Sequence, residues 1–200
     1  MVEWYIRVKV KMEHCYALYD RLLPRRGQIT DVGCGMGPLD YMLSMYSEER
    51  RITGIDYDAD KIALASHGWL MNDRLRFVCA DALTCELPQS DAFVLNDMLH
   101  YLSYECQQQL LVRCAARLRQ GGLIVLRDGN ASAARHRTTR LTELLSTRFF
   151  RFNKTAGELH FTSAEQIRQM AAACGMRVET HPNDGYTSNT IYILRKQDEV

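Results

Sequence analysis

The chain alternates between two hydrophobic rhythms. Apolar runs of strand length recur at Gln28–Val32, Arg51–Asp56, Leu75–Cys79, Ala92–Asn96, Leu123–Arg127, Met176–Thr180 and Thr190–Arg195. Between them the apolar positions follow a helical period. Val8, Met12, Cys15, Tyr19 and Leu22, spaced 4, 3, 4, 3, predict a helix over 3–22. A second helix, 38–47, opens on Pro38, which suits a first helical turn. Asp58 predicts the N-cap of a third, reaching 67. Leu110, Leu111, Cys114, Ala115 and Leu118 share one face of a helix over 104–118, which Gly121-Gly122 is expected to stop. Thr162 and Glu165 read as the capping box of a helix carrying Ile167, Met170, Ala171 and Cys174, ended by Gly175.

Strands that alternate with helices imply a parallel sheet covered on both faces. The last two strands are joined only by Pro182-Asn183-Asp184-Gly185, a hairpin-like link that makes the final strand antiparallel. The predicted fold is α/β: one domain over 1–200, with a doubly wound, mostly parallel, seven-stranded Rossmann-like sheet and an antiparallel last strand. An N-terminal helix (1–24) precedes it, and an insert (131–161) interrupts it after the fifth strand. In that insert Leu141, Leu144, Leu145 and Phe149 suggest a short amphipathic helix. Over 131–154 six basic residues face one acid, Glu143, a local charge of +5. The segment reads either as a solvated surface insert or as a lid over the carboxyl edge of the sheet, where open α/β sheets bind ligands.

Charge narrows the function. Lys plus Arg is 25 and Asp plus Glu is 24, so bulk charge offers nucleic acid no footprint. The seven cysteines (15, 34, 79, 85, 106, 114, 174) contain no CxxC spacing and read as reduced thiols of a cytoplasmic protein. They suggest neither a disulfide framework nor a metal site. No apolar run has membrane-spanning length, and no signal-peptide pattern opens the chain. Helical patterning begins almost at Met1, which fits either a piece of a longer polypeptide or a helix docked on the domain.

The candidate chemistry starts at Ile29-Thr30-Asp31-Val32-Gly33-Cys34-Gly35-Met36-Gly37, an apolar strand running into three alternate glycines and then a helix. Such a turn lets a ligand approach bare backbone and aims helix-start N–H groups toward it. A dinucleotide GxGxxG motif would need glycine at position 38, which is Pro38. Asp56 lies 19 residues after Gly37, at the end of the second strand, where a carboxylate can accept from a ribose diol. Asp81-Ala82, past the third strand, could receive an adenine amino group, and Tyr57 could stack on the adenine face.

These residues resemble the class I S-adenosylmethionine (SAM)-dependent methyltransferases. Asp31 to Gly37 match that family's first motif, Asp56 its ribose-binding acid, Asp81-Ala82 its adenine contact, Asp91–Asn96 its fourth strand, and Leu118-Arg119-Gln120-Gly121-Gly122 the turn before its fifth. The likeness covers residues 25–127 motif by motif. In finer detail Glu3 to Lys9 and Phe152-Asn153-Lys154-Thr155 are similar to methyltransferase modules of aryl-polyene-type lipid pigment clusters, which implies an aromatic or lipid-linked substrate.

The resemblance implies SAM as cofactor, held by Asp31, Gly33, Cys34, Gly35, Gly37, Asp56, Tyr57, Asp81, Ala82, Asn96 and Asp97. Cys34 reads as a small filler inside the turn. Methyl transfer requires alignment more than a base. An acceptor hydroxyl that keeps its proton would nonetheless need one, and His100, one helical turn from Asp97, is the candidate. Asp128, at the end of the fifth strand, either pairs with Arg127 or faces substrate. His136 and His160 read as surface residues, and Tyr5, Tyr16 and Tyr19 as either packing residues or part of a helical lid. The expected activity is O- or C-methylation of a small or carrier- or lipid-linked molecule. The basic insert adds the prospect of contact with an anionic membrane face or a fused domain. Two other readings stay open: a nicotinamide-dependent oxidoreductase and a non-catalytic SAM-binding domain of a larger protein.

Overall fold

The computed structural model describes residues 16–68, 70–129, 159–181 and 189–196. The expected helix start (3–15), most of the insert with its arginines, His136 and the 182–185 turn lie outside these residues.

In chain order the elements are α1 (Tyr16–Leu22), β1 (Gly27–Val32), α2 (Pro38–Tyr46), β2 (Arg50–Asp56), α3 (Ala59–Ser66), β3 (Leu75–Cys79), β4 (Ser90–Asn96), a 3-10 turn (Leu99–Tyr101), α4 (Tyr104–Arg117), β5 (Leu118–Gly129), α5 (Ala164–Ala173), β6 (Met176–His181) and β7 (Asn189–Lys196). The strands form one seven-stranded sheet in the order β3-β2-β1-β4-β5-β7-β6. β7 runs antiparallel between β5 and β6, and the remaining pairings are parallel.

The period of two in the strands builds two cores, one on each face. Ala92 and Val94, Leu123 and Val125, and Ile191 and Ile193 face Tyr19, Leu23, Leu39 and Leu43 of the α1–α2 layer. Phe93 and Leu95, Ile124 and Leu126, and Tyr192 and Leu194 face Leu110, Leu111, Ile167 and Ala171 of the α4–α5 layer. Strand order reverses between β1 and β4, so the crevice at their carboxyl ends is the place for a ligand.

Arg50, fully buried, ties α1 to the sheet. Its guanidinium donates to Asp20 Oδ1 at 2.6 Å and to the carbonyls of Asp20, Leu23 and Pro24, groups a helix end leaves unpaired.

Two local expectations are corrected. Gly121-Gly122 do not stop α4. The helix ends at Arg117, and buried Leu118 already pairs with Ser90. The next pairing is Ala92 with Leu123, so the glycines fall in a bulge, with Gly121 at φ 72. The capping box of α5 is Ser163 with Gln166, one residue later than expected: Ser163 has the extended backbone of an N-cap, and its hydroxyl accepts from Gln166 N. Asp58 does cap α3, accepting from Asp60 N at 3.0 Å.

Candidate active site

All three glycines of the turn have positive φ: Gly33 76, Gly35 58 and Gly37 73. Their surroundings differ. A Cβ on Gly33 would meet Met98 at 2.8 Å, and one on Gly37 would meet Phe77 at 2.4 Å. A Cβ on Gly35 would enter open space. Gly33 and Gly37 are therefore required for packing, and Gly35 is the bare backbone that faces the crevice.

Four N–H groups inside the turn bond within the protein. Gly33 N and Cys34 N donate to Ile55 O, and Gly37 N donates to Cys34 O. Gly35 N donates to Asp56 Oδ2 at 2.8 Å. Asp31 and Asp40 are buried nearby, and burial pushes the Asp40 carboxyl up to about 7 while hydrogen bonding with Asp31 opposes the rise. Burial also holds the Cys34 thiol well above its usual range, and Asp40, Asp31 and Asp56 add to the effect. A diphosphate brought to this cluster would meet three carboxyl groups, whereas a cationic ligand would meet complementary charge.

Asp56 Oδ1 also accepts from Asp58 N at 2.9 Å, so both carboxylate oxygens are fixed by backbone N–H groups. A carboxylate offers about four acceptor positions, which leaves about two for a diol. Tyr57, beside it, is 52% exposed. Asp81 is exposed, with Oδ1 accepting from Leu83 N at 2.9 Å. Ala80 N donates to Asp56 O, which joins the ends of β2 and β3. The structure thus brings Gly35, Asp56, Tyr57 and Asp81 to one sheet edge.

The ends of β4 and β5 are built differently. Asn96 Oδ1 accepts from the hydroxyl of Tyr19 at 2.6 Å. Asp97 takes the left-handed conformation, φ 53, and its carboxylate accepts from Arg127 and from Asn189 Nδ2. The helical spacing that would bring Asp97 to His100 does not form, because Asp97 is not helical and the 3-10 turn begins only at Leu99. His100 instead pairs with Asp128. Nδ1 lies 2.5 Å from Oδ1, and His100 N donates to Oδ2 at 2.9 Å. Arg127 and Asp128 do not pair with each other: adjacent strand residues point to opposite faces. Phe161 stacks on the His100 ring with centroids 4.7 Å apart and planes 15° apart. His160 N donates to His100 O, and the half-buried His160 ring packs edge-on against Tyr104. Among the described residues no group of His, Cys, Asp and Glu could hold a metal ion, and no helix is long and apolar enough to cross a membrane.

Residues 29–122 match the profile of a methyltransferase domain family. Over that stretch the chain is similar to class I, SAM-dependent methyltransferases. The chain is also similar to a carboxy-S-adenosyl-L-methionine synthase of Photobacterium profundum, 28% identical over 116 residues, 56% of this chain and 48% of that protein. Its fold matches the mitomycin 7-O-methyltransferase with TM-score 0.76 at 16% identity, over 98% of this chain and 57% of that one. It also matches an O-methyltransferase from neocarzinostatin biosynthesis, solved with S-adenosylhomocysteine (SAH) and 1,4-dihydroxy-2-naphthoic acid. There the TM-score is 0.69 at 21% identity, over 90% of this chain and 51% of that one. The chain spans about half the length of these relatives.

The crevice fits the donor. SAM carries a sulfonium and an ammonium, which suit the acids around Cys34, and open space before Gly35 admits it without a clash. The ties from Tyr19 to Asn96, from Asn189 to Asp97 and from Arg113 to the carbonyls of Ala82 and Cys85 lie beyond the sequence reading. Tyr19 and Asn189 have no local signal. Arg113 does have one: with Arg117 it forms an i, i+4 pair of arginines on an otherwise apolar-faced helix.

Proposed function

We propose that this methyltransferase methylates a hydroxyl oxygen of a small molecule, free or carrier-linked, with His100 as the general base. The observation that carries this reading is the His100–Asp128 pair at the carboxyl ends of β4 and β5. Asp128 also accepts from Gly129 N at 2.7 Å, so its charge is held by three donors. It fixes the imidazole with Nδ1 protonated and leaves Nε2 as the basic nitrogen. Nε2 would take the proton of the acceptor hydroxyl. Tyr101 and Phe161 pack against the ring, and 2% exposure keeps bulk water off it. An acceptor therefore reaches Nε2 by displacing what covers it.

When bound, SAM supplies an electrophilic methyl group on a sulfonium. We assign Asp56 to the ribose diol, Tyr57 and Asp81-Ala82 to adenine, and Asp31, the Gly33–Gly37 turn with Cys34, Asn96 and Asp97 to the methionine end. The acid cluster favours this cation over a nicotinamide dinucleotide. The basic residues of 131–154 would draw an anionic or carrier-borne acceptor.

The test is methyl transfer from labelled SAM to 1,4-dihydroxy-2-naphthoic acid and related phenols. His100→Gln and Asp128→Asn should each slow turnover about 100-fold or more with SAH affinity unchanged. A wild-type rate in His100→Gln would remove the base. SAH binding with no transfer to any phenol would favour a non-catalytic role.

A further inference from the structure

Beyond the crevice, α4 carries two arginines that grip the loop between β3 and β4. Arg117 Nε donates to Leu87 O at 2.6 Å, and its guanidinium reaches Glu86. Arg113 Nε donates to Ala82 O at 3.1 Å, and its guanidinium also bonds Cys85 O. Arg117 thus holds the end of the loop away from the proposed adenine residues, whereas Arg113 holds the backbone of one of them.

The Arg113 contact has a particular partner. Ala82 C=O and Leu83 N–H belong to one planar peptide unit, and in a trans peptide they point in opposite directions. Leu83 N–H donates to Asp81 Oδ1 at 2.9 Å. A charged guanidinium thus sits at one end of the peptide unit and a carboxylate at the other. The cation polarises the carbonyl, which strengthens the N–H as a donor and fixes the plane on which the Asp81 rotamer depends. Thr84 N and Cys85 N both donate to Asp81 O, so the backbone of the turn is closed as well. Oδ2 is left for a donor from outside the turn.

We propose that Arg113 is a positioning residue for adenine recognition, acting on Asp81 through the Ala82–Leu83 peptide. The inference rests on the SAM reading and names a residue that reading does not use. Arg117 is the internal control, since it holds the far end of the same loop and not this peptide.

The experiment is calorimetric titration of the full chain with SAH and with S-inosylhomocysteine, which has a carbonyl in place of the adenine amino group. Wild type should prefer SAH. Arg113→Met should weaken SAH about tenfold, leave the inosine analogue nearly unchanged, and so collapse the preference. Arg113→Lys should restore part of it, because an ammonium can still donate to Ala82 O. Arg117→Met should keep the wild-type preference. If Arg113→Met does not fold, Arg113→Gln and Arg113→Lys carry the comparison. Equal loss for both ligands, or no loss, would overturn the proposal. A wild type that binds SAH but does not discriminate would overturn the Asp81 contact and the proposal together. A wild type that binds neither would strike the SAM reading itself.

Discussion

The two halves of the crevice hold their polar groups differently. In the β1–β3 half the backbone does it. Asp56 is held by the N–H groups of Gly35 and Asp58, and Asp81 by that of Leu83, at separations of 21, 2 and 2 residues. In the β4–β5 half the backbone N–H groups of His100 and Gly129 also hold Asp128, but side chains from distant segments join them. Tyr19 reaches Asn96 across 77 residues, Asn189 reaches Asp97 across 92, and His100 reaches Asp128 across 28. Backbone donors are set by chain geometry and tolerate most side-chain changes. Side-chain donors can be exchanged one at a time. A constant donor molecule and a variable acceptor would be served by this division.

The largest effect should come from breaking the backbone half. Gly35→Val puts a β-branched residue at φ 58 and displaces the N–H that holds Asp56. SAH affinity should fall about 100-fold or more in calorimetry, and wild-type affinity would refute the placement of the cradle. Next is Arg50→Met, which removes the attachment of the helix that carries Tyr19. Denaturant titration should show a loss of about 3 kcal/mol, because four carbonyls and Asp20 lose their donor. An unchanged midpoint would mean that α1 docks by apolar packing alone.

Asp40→Asn tests the charge of the backbone half. The folded-state Asp40 carboxyl is raised to about 7, above its ordinary value of 3.8. The native state therefore holds an extra proton between these values, and wild-type stability should fall as pH rises from about 4 to about 7. Asn keeps a polar isostere without the charge. The variant should be comparable at about pH 4 and more stable at about pH 8, with a flatter pH profile. Parallel profiles would show that Asp40 does not titrate there. The smallest effect belongs to Tyr19→Phe, a loss of about 1 kcal/mol in the same denaturant assay. A loss as large as that of Arg50→Met would show that the hydroxyl supports more than Asn96.

The same division explains what can be read from the chain. The glycine turn, Asp56, Asp58 and Asp81 lie beside strand ends that hydrophobic patterning locates, and Asp56, Asp58 and Asp81 each have a backbone partner two residues away. The sheet's mostly parallel build and antiparallel last strand follow from alternation and a short link. Helical spacing would join Asp97 to His100, but the left-handed backbone at Asp97 breaks that spacing. Adjacency would join Arg127 to Asp128, but strand alternation sends them apart. Nothing in a periodic pattern connects Tyr19 to Asn96 or Asn189 to Asp97, since those contacts exist only once the sheet has assembled. The bonds from the N–H groups of the glycine turn to Ile55, Cys34 and Asp56 are not legible either, because the β1–β2 register is what brings Ile55 and Asp56 close.

Helix α4 starts at the His100 turn and reaches the adenine-side loop with Arg113. An α-helix advances ~1.5 Å and turns ~100° per residue, so α4 acts as a ruler between the two ends of the crevice. Inserting one residue ahead of Arg113 would swing its guanidinium roughly a quarter turn away from Ala82 while leaving every strand intact. The exposed face of α4 should therefore accept substitutions freely and length changes hardly at all, a constraint that a library of single-residue insertions would make visible.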